Sequence, residues 1–168
     1  MRYPLCYTLI YCLNVLPWET EMEHTAQCKK KTLMLILIAL TLAFIWGNSC
    51  LSRETSSEMS GFTVSILSFL NITDDAFVRK AAHFTEYFAL GAELSVLLSI
   101  CGRKGSRVIT DVIIFGLLVG FFDETIQIFS GRAPEIADVW LDWAGYNTGF
   151  WIFRGVSKRK QSRLAADT

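Results

Sequence analysis

The stretch GFFDETIQIFSGRAPEIADVWLDWAGYNTG, residues Gly120–Gly149, decides the fold. Two mainly apolar runs flank a short polar turn that contains Arg132. This pattern predicts two antiparallel helices joined by a loop of few residues. The same stretch carries five carboxylates: Asp123, Glu124, Glu135, Asp138 and Asp142. We expect the apolar side chains of these two helices to face an apolar environment and the carboxylates to face other polar groups.

The composition is that of a membrane protein. The chain has 168 residues, 52% of them hydrophobic, and its mean hydropathy is positive, which is high for a soluble domain. Its 16 basic and 16 acidic residues cancel, so nothing suggests nucleic-acid binding. Its five cysteines form no CxxC pair and no metal-ligand spacing. We expect them to be small buried apolar residues without a redox role.

Four segments are long and apolar enough to span a bilayer, which takes roughly 20 residues. They are 32–51, 81–101, 108–130 and 136–153. The sequence therefore predicts an all-α, polytopic integral membrane protein with a four-transmembrane-helix bundle. In the first outer loop, the apolar run FTVSILSFL after a Ser/Glu-rich start predicts a short interfacial helix.

The chain divides into three regions. Residues 1–28 form an N-terminal extension or peripheral apolar segment, since the run between Pro4 and Pro17 is short for a span and Met22 offers an alternative start. Residues 29–155 form the transmembrane domain, and 156–168 a basic cytoplasmic tail.

Lysine and arginine are distributed unevenly between the two sides of the predicted bundle. From residue 29 onward, eleven lie just before the first span, between the second and third spans, or after the fourth, and four lie in the other two loops. The positive-inside rule places both ends of the bundle in the cytoplasm. The loops 52–80 and 131–135 then face outward.

With this topology, polar side chains from three helices reach one depth, just below the outer surface. Ionisable groups inside a membrane cost about 2.5–3.5 kcal/mol each, so a cluster of them favours a functional site. The seven polar groups are His83, Glu86, Asp123, Glu124, Gln127, Asp138 and Asp142.

Small residues share helix faces with these acids. The spacings GLLVG and GYNTG are GxxxG patterns, which let helix backbones approach closely. We therefore expect the acids to point into the bundle and the glycines to pack the third and fourth helices against each other. The two faces hold Gly116, Gly120, Asp123 and Gln127, and Asp138, Asp142, Gly145 and Gly149.

Simpler roles remain open for some of these acids. Glu135 suits the headgroup region, and Asp138 suits a cap at the start of a helix. Glu93 and Asp111 fit residues that pair or reach toward the membrane surface.

The crowded carboxylates require compensating charge. Arg132, Arg79, Lys80 and a protonated His83 can supply part of it. A divalent cation is a second possibility, because carboxylates suit Mg, Ca or Mn and a histidine suits Zn or Fe, although no HExxH spacing occurs. A histidine beside carboxylates also suits acid–base chemistry on a lipid headgroup.

Three motifs in order resemble those of the VanZ-like membrane protein family. They are RKAAHFTEYFALG (79–91), FFDETIQIFSGR (121–132) and the D-x-x-x-D-x-x-G-x-x-x-G helix from Asp138 to Gly149. The resemblance covers roughly 29–154 and leaves out the long N-terminal segment. It implies a multi-pass protein of the bacterial cytoplasmic membrane. The family's founding member is associated with resistance to teicoplanin-type glycopeptides.

Several functions fit this picture. The first is tolerance of glycopeptide antibiotics through the outward-facing polar site, by binding an envelope lipid headgroup, a lipid-linked precursor or the glycopeptide itself. The alternatives are a membrane-embedded enzyme acting on a lipid-linked envelope component, a non-catalytic accessory protein, or a small transporter.

The candidate residues divide by chemistry. The catalytic candidates are His83, Glu86, Asp123 and Glu124. The ligand-binding candidates are Lys80, Tyr87, Gln127, Arg132, Asp138 and Asp142.

The charge asymmetry makes the topology testable. Reporter fusions after Ser60 and after Arg163 are expected to report opposite sides of the membrane, because Ser60 lies in an outer loop and Arg163 in the basic C-terminal segment. The measurement is the ratio of a periplasm-active to a cytoplasm-active reporter. The same side for both fusions would contradict the four-span arrangement.

Overall fold

The computed structural model describes residues 21–51, 75–103, 105–131 and 135–166. This part of the chain is helical and contains no strand, which confirms the all-α class. Its four helices are α1 (Glu21–Ser49), α2 (Asp75–Ile100), α3 (Ser106–Phe129) and α4 (Ile136–Ala166). Sharp turns follow α2 and α3, where Gly102 and Gly131 adopt positive φ angles of 64° and 76°.

Two of these helices are long and apolar enough to cross a membrane: Gln27–Ser49 within α1, and Ser106–Phe129, which is all of α3. The other two carry more charged residues along their length. The described helices therefore include two candidate spans, where the sequence predicts four.

Three of the helices are several residues longer than the spans that the sequence predicts. α1 begins before residue 32 and α2 before residue 81, and α4 continues through most of the predicted basic tail to Ala166. The predicted interfacial helix falls on 52–74, and most of the N-terminal segment falls on 1–20. Both lie outside the described residues.

The core is an apolar cluster to which all four helices contribute. Its fully buried members include Ile45 of α1, Tyr87 and Leu90 of α2, and Tyr146 and Phe150 of α4. Val112 and Val119 add the contribution of α3. Burial of these side chains holds the polar groups described below at a defined position between the helices.

Glycines bring the backbones of α2 and α4 into direct contact. A Cβ atom on Gly145 would collide with the backbone of Phe84, and one on Gly149 with the backbone of Phe88. From the other side, a Cβ on Gly91 would collide with the backbone of Tyr146. Such contacts are typical of small-residue helix pairs. The glycine face of α4 therefore packs against α2, not against α3 as the paired GxxxG spacings suggest.

The contact between α3 and α4 is made by side chains. The ring of Tyr146 lies over Gly116, where a Cβ would overlap it. Its hydroxyl donates a 2.8 Å hydrogen bond to the carbonyl of Val112, and Trp143 Nε1 donates a 3.2 Å bond to the carbonyl of Ile113. A Cβ on Gly120 would meet that of Asp142 at an ordinary 3.6 Å. Gly120 is thus less constrained than Gly116.

Gly149→Ala is expected to destabilise the folded protein by about 1–3 kcal/mol, because the added methyl group must push α2 away from α4. Thermal unfolding of the purified protein in detergent measures this. Gly155→Ala is the matched control on the same helix, since nothing lies within 4 Å of its Cβ position. Equal stability of the two variants would contradict the close helix contact.

Candidate functional site

One side chain from each of three helices forms the centre of the candidate site. His83 of α2 places Nδ1 3.8 Å from Oδ2 of Asp123 on α3 and 3.8 Å from Oδ1 of Asp142 on α4. Both aspartates are fully buried. The imidazole therefore lies between two carboxylates that are distant in the sequence.

Asp142 lies in an unusual environment. It is fully buried, yet neither of its carboxylate oxygens accepts a hydrogen bond from the described residues. Buried polar atoms normally have a partner, because burial without one costs free energy. His83 Nδ1 lies 3.8 Å from Oδ1 of Asp142, which is an ion-pair distance rather than a hydrogen-bond distance.

Asp123 is held firmly by neutral donors. The hydroxyl of Ser49 donates to Oδ1, and the amide of Gln127 donates to Oδ2 at 3.3 Å. The same amide donates to Glu124 Oε1 at 2.8 Å, and the second oxygen of Glu124 accepts from the backbone N–H of Glu135 at 3.0 Å. Gln127 thus bridges two adjacent acids of α3 and fixes both carboxylates.

α1 also contributes to the site, which the sequence reasoning missed. Besides the bond from Ser49, Asn48 Nδ2 donates a 3.0 Å hydrogen bond to Oε1 of Glu86. Ser130, just after α3, donates to the carbonyl of Ser49 at 2.9 Å and thereby ties the two helix ends together. The available signal was position: an up-and-down bundle brings the end of the first span to the depth where the acids lie.

A second cluster of charged side chains lies near the start of α2 and α4. Lys80 Nζ is 3.1 Å from Oδ1 of Asp138 and 3.3 Å from Oε2 of Glu135. These partners raise the pKa of Lys80. Asp138 makes the larger contribution and Glu135 the smaller one. Lys80 is partly exposed and Glu135 is exposed, so water weakens the pairing. Lys80 thus stays charged and marks the rim of the cluster.

The remaining candidates are placed as follows. Tyr87 is fully buried, and its hydroxyl makes no hydrogen bond within the described part of the chain. Asp138 faces Lys80 rather than the centre. Glu93, at a different level of α2, accepts a 2.9 Å hydrogen bond from Thr41. Arg132, proposed as the counter-charge, lies outside the described residues.

Two kinds of chemistry suit this arrangement. An imidazole between carboxylates can accept and return a proton at Nδ1. Alternatively, His83, Asp123 and Asp142 can hold a metal ion, since one potential ligand atom from each lies within 4.8 Å of the others.

The fold and site define a small helical protein with an apolar exterior and a buried cluster of histidine and carboxylates. The chain belongs to the VanZ/LLP1 family, whose model matches residues 8–157. The match begins at residue 8, so it includes most of the N-terminal segment that the motif resemblance over 29–154 leaves out. No curated protein and no solved structure matches the chain.

Ser49→Ala is expected to destabilise the protein by about 0.6–2 kcal/mol, because it removes a donor from a buried carboxylate between two helices. Thermal unfolding in detergent is the measurement. Ser99→Ala is the control, since that hydroxyl bonds the carbonyl of Ser95 within its own helix. If the two variants unfold at the same temperature, Ser49 does not support Asp123.

Proposed function

We propose that this protein is a multi-pass, VanZ-like protein of the bacterial cytoplasmic membrane that contributes to tolerance of teicoplanin-type glycopeptides. Its polar site faces outward and binds the polar head of an envelope lipid or lipid-linked precursor. The triad of His83, which is partly exposed, and the buried Asp123 and Asp142 carries this proposal.

The distribution of polarity supports the membrane setting. Large apolar side chains are exposed on each helix, among them Leu40 and Phe44 on α1, Phe77 on α2, Phe121 on α3 and Trp151 on α4. Charged side chains such as Asp123, Glu124 and Asp142 are buried instead. This is the reverse of a soluble protein and the arrangement expected where lipid surrounds the bundle.

Charge at the two ends supports the outward orientation. The acids of the site collect at the start of α2 and α4 and at the end of α3. At the opposite end, buried Arg154 donates a 3.0 Å hydrogen bond to the carbonyl of Arg103, within the basic segments that the positive-inside rule assigns to the cytoplasm.

The site suits the head of a lipid better than an internal structural role. Lys80 is partly exposed at the rim and can attract an anionic group. Beneath it, the buried carboxylates and His83 offer hydrogen-bonding groups to hydroxyls or amines. A headgroup that enters from the membrane surface would meet these groups in that order.

The test is glycopeptide susceptibility of cells that carry variants of the site. Asp142→Asn and His83→Gln are expected to reduce tolerance to the level of cells without the protein, while the protein remains in the membrane. Thr85→Val on α2 is the control, because its exposed hydroxyl bonds only the carbonyl of Ala81 in its own helix among the described residues. Full tolerance in both site variants would contradict the proposal.

A catalytic version of the proposal has one observation in its favour. His83 Nδ1 lies at the same distance from two carboxylates, which suits general acid–base catalysis on a lipid-linked envelope component. Mass spectrometry of lipids from cells with wild-type protein and with His83→Gln distinguishes the versions. An enzyme changes the abundance of a lipid-linked species, whereas a binding protein leaves the lipids unchanged.

A further inference from the structure

We infer that His83, Asp123 and Asp142 form a binding site for one divalent transition-metal ion, with Zn²⁺ or Mn²⁺ as the ion. The inference deepens the proposed function, because it concerns the same site. It rests on the geometry and chemistry of three side chains.

The geometry is close to that of a metal site. A tetrahedral ion with bonds of about 2.1 Å needs ligand atoms roughly 3.4 Å apart. The two distances from His83 Nδ1 to the carboxylate oxygens are 3.8 Å, and the three ligand atoms lie within 4.8 Å of one another. Small side-chain rotations close the difference, and three protein ligands leave a coordination position for water or a substrate oxygen.

Asp142 supplies the independent observation. Its carboxylate is completely buried, lies beside the other two ligands and accepts no hydrogen bond from the described residues. A cation bound by both aspartates would satisfy the Asp142 oxygens, which accept no hydrogen bond from the described residues. It would also neutralise two negative charges at a place where neither reaches water.

Surrounding contacts orient the ligands in the manner of an outer coordination shell. Ser49 donates to Oδ1 of Asp123 and leaves Oδ2 turned toward His83. Gln127 then restrains Oδ2 from the other side at 3.3 Å. Hydrogen bonds of this kind fix the direction of metal-ligating carboxylates.

The ligand set selects the class of ion. Mg²⁺ and Ca²⁺ prefer sites made of oxygen atoms, whereas an imidazole nitrogen favours transition metals. One histidine with two carboxylates therefore points to Zn²⁺ or Mn²⁺. These ions polarise a bound oxygen, which would give the catalytic version of the function a Lewis acid.

Untagged full-length protein, purified in detergent and stripped with a chelator, tests the site. Titration with ZnCl₂ and MnCl₂ is expected to load one ion per chain by elemental analysis. At roughly 100 times the dissociation constant, the thermal midpoint should rise by about 5 °C or more. MgCl₂ at the same concentration should give a smaller shift.

Variants identify the ligands. Asp142→Asn and His83→Gln should each weaken binding at least about tenfold. Without metal, Asp142→Asn should be as stable as wild type or more so, since it removes a buried charge without a hydrogen bond. Glu93→Gln is the control, because this α2 carboxylate accepts from Thr41 outside the triad and should leave the affinity unchanged.

Three results would overturn the inference: wild-type protein that gains no stability from Zn²⁺ or Mn²⁺, unchanged affinity in both ligand variants, or an equal response to Mg²⁺. The outcome is separable from that of the proposed function. Metal binding without any change in glycopeptide susceptibility would sink the function alone. Lost tolerance in the variants without metal binding would sink the metal site alone.

Discussion

The contact between the backbones of α2 and α4 is the constraint on which the candidate site depends. Gly145 packs directly against the backbone of Phe84, the residue that follows His83. Asp142 lies one turn before Gly145, so the same contact brings Asp142 to the imidazole. A side chain at position 145 would separate the two helices and the two ionisable groups together. The same stretch of α4 therefore supplies both the helix contact, through Gly145, and a site residue, Asp142.

The bundle compensates its charges differently at the rim and in the interior. At the rim, Lys80 lies opposite Asp138 and Glu135, where water weakens each interaction. In the interior, neutral groups donate the hydrogen bonds. The amide of Gln127 donates to two carboxylates, and the hydroxyl of Ser49 donates to Asp123 from another helix. Neutral donors suit a buried site because they satisfy oxygens without adding a second charge to desolvate.

Much of the fold and the level of the site residues could be predicted from the sequence, because helices have a fixed period and a fixed rise. The steps from Asp138 to Asp142 and from Asp123 to Gln127 place each pair on one face, and opposed directions bring His83 to the same level. The helices of the all-α fold and the common level of His83, Asp123 and Asp142 follow from these rules. No tertiary information is needed for them.

Other features depend on which faces meet, and the sequence pattern does not determine that. Spacings of the GxxxG type occur on both α3 and α4, and nothing in them says that Gly149 packs against Phe88 rather than against α3. The sequence pattern also does not show that Asn48 and Ser49 donate hydrogen bonds to the acids of the site. α1 is apolar around most of its surface, so its pattern does not indicate which side faces the acids.

The four helices differ in hydropathy, and each contributes to the site. α1 and α3 are apolar enough to cross a membrane, whereas α2 and α4 carry His83, Glu86, Asp138 and Asp142. If α2 and α4 were placed in a membrane on their own, exposure of these groups to lipid would cost about 2.5–3.5 kcal/mol for each charged one. Inside the bundle, α1 gives Glu86 a donor through Asn48, and α3 brings Asp123 to His83. All four helices thus supply polar groups of the site, and the site exists only where they are assembled.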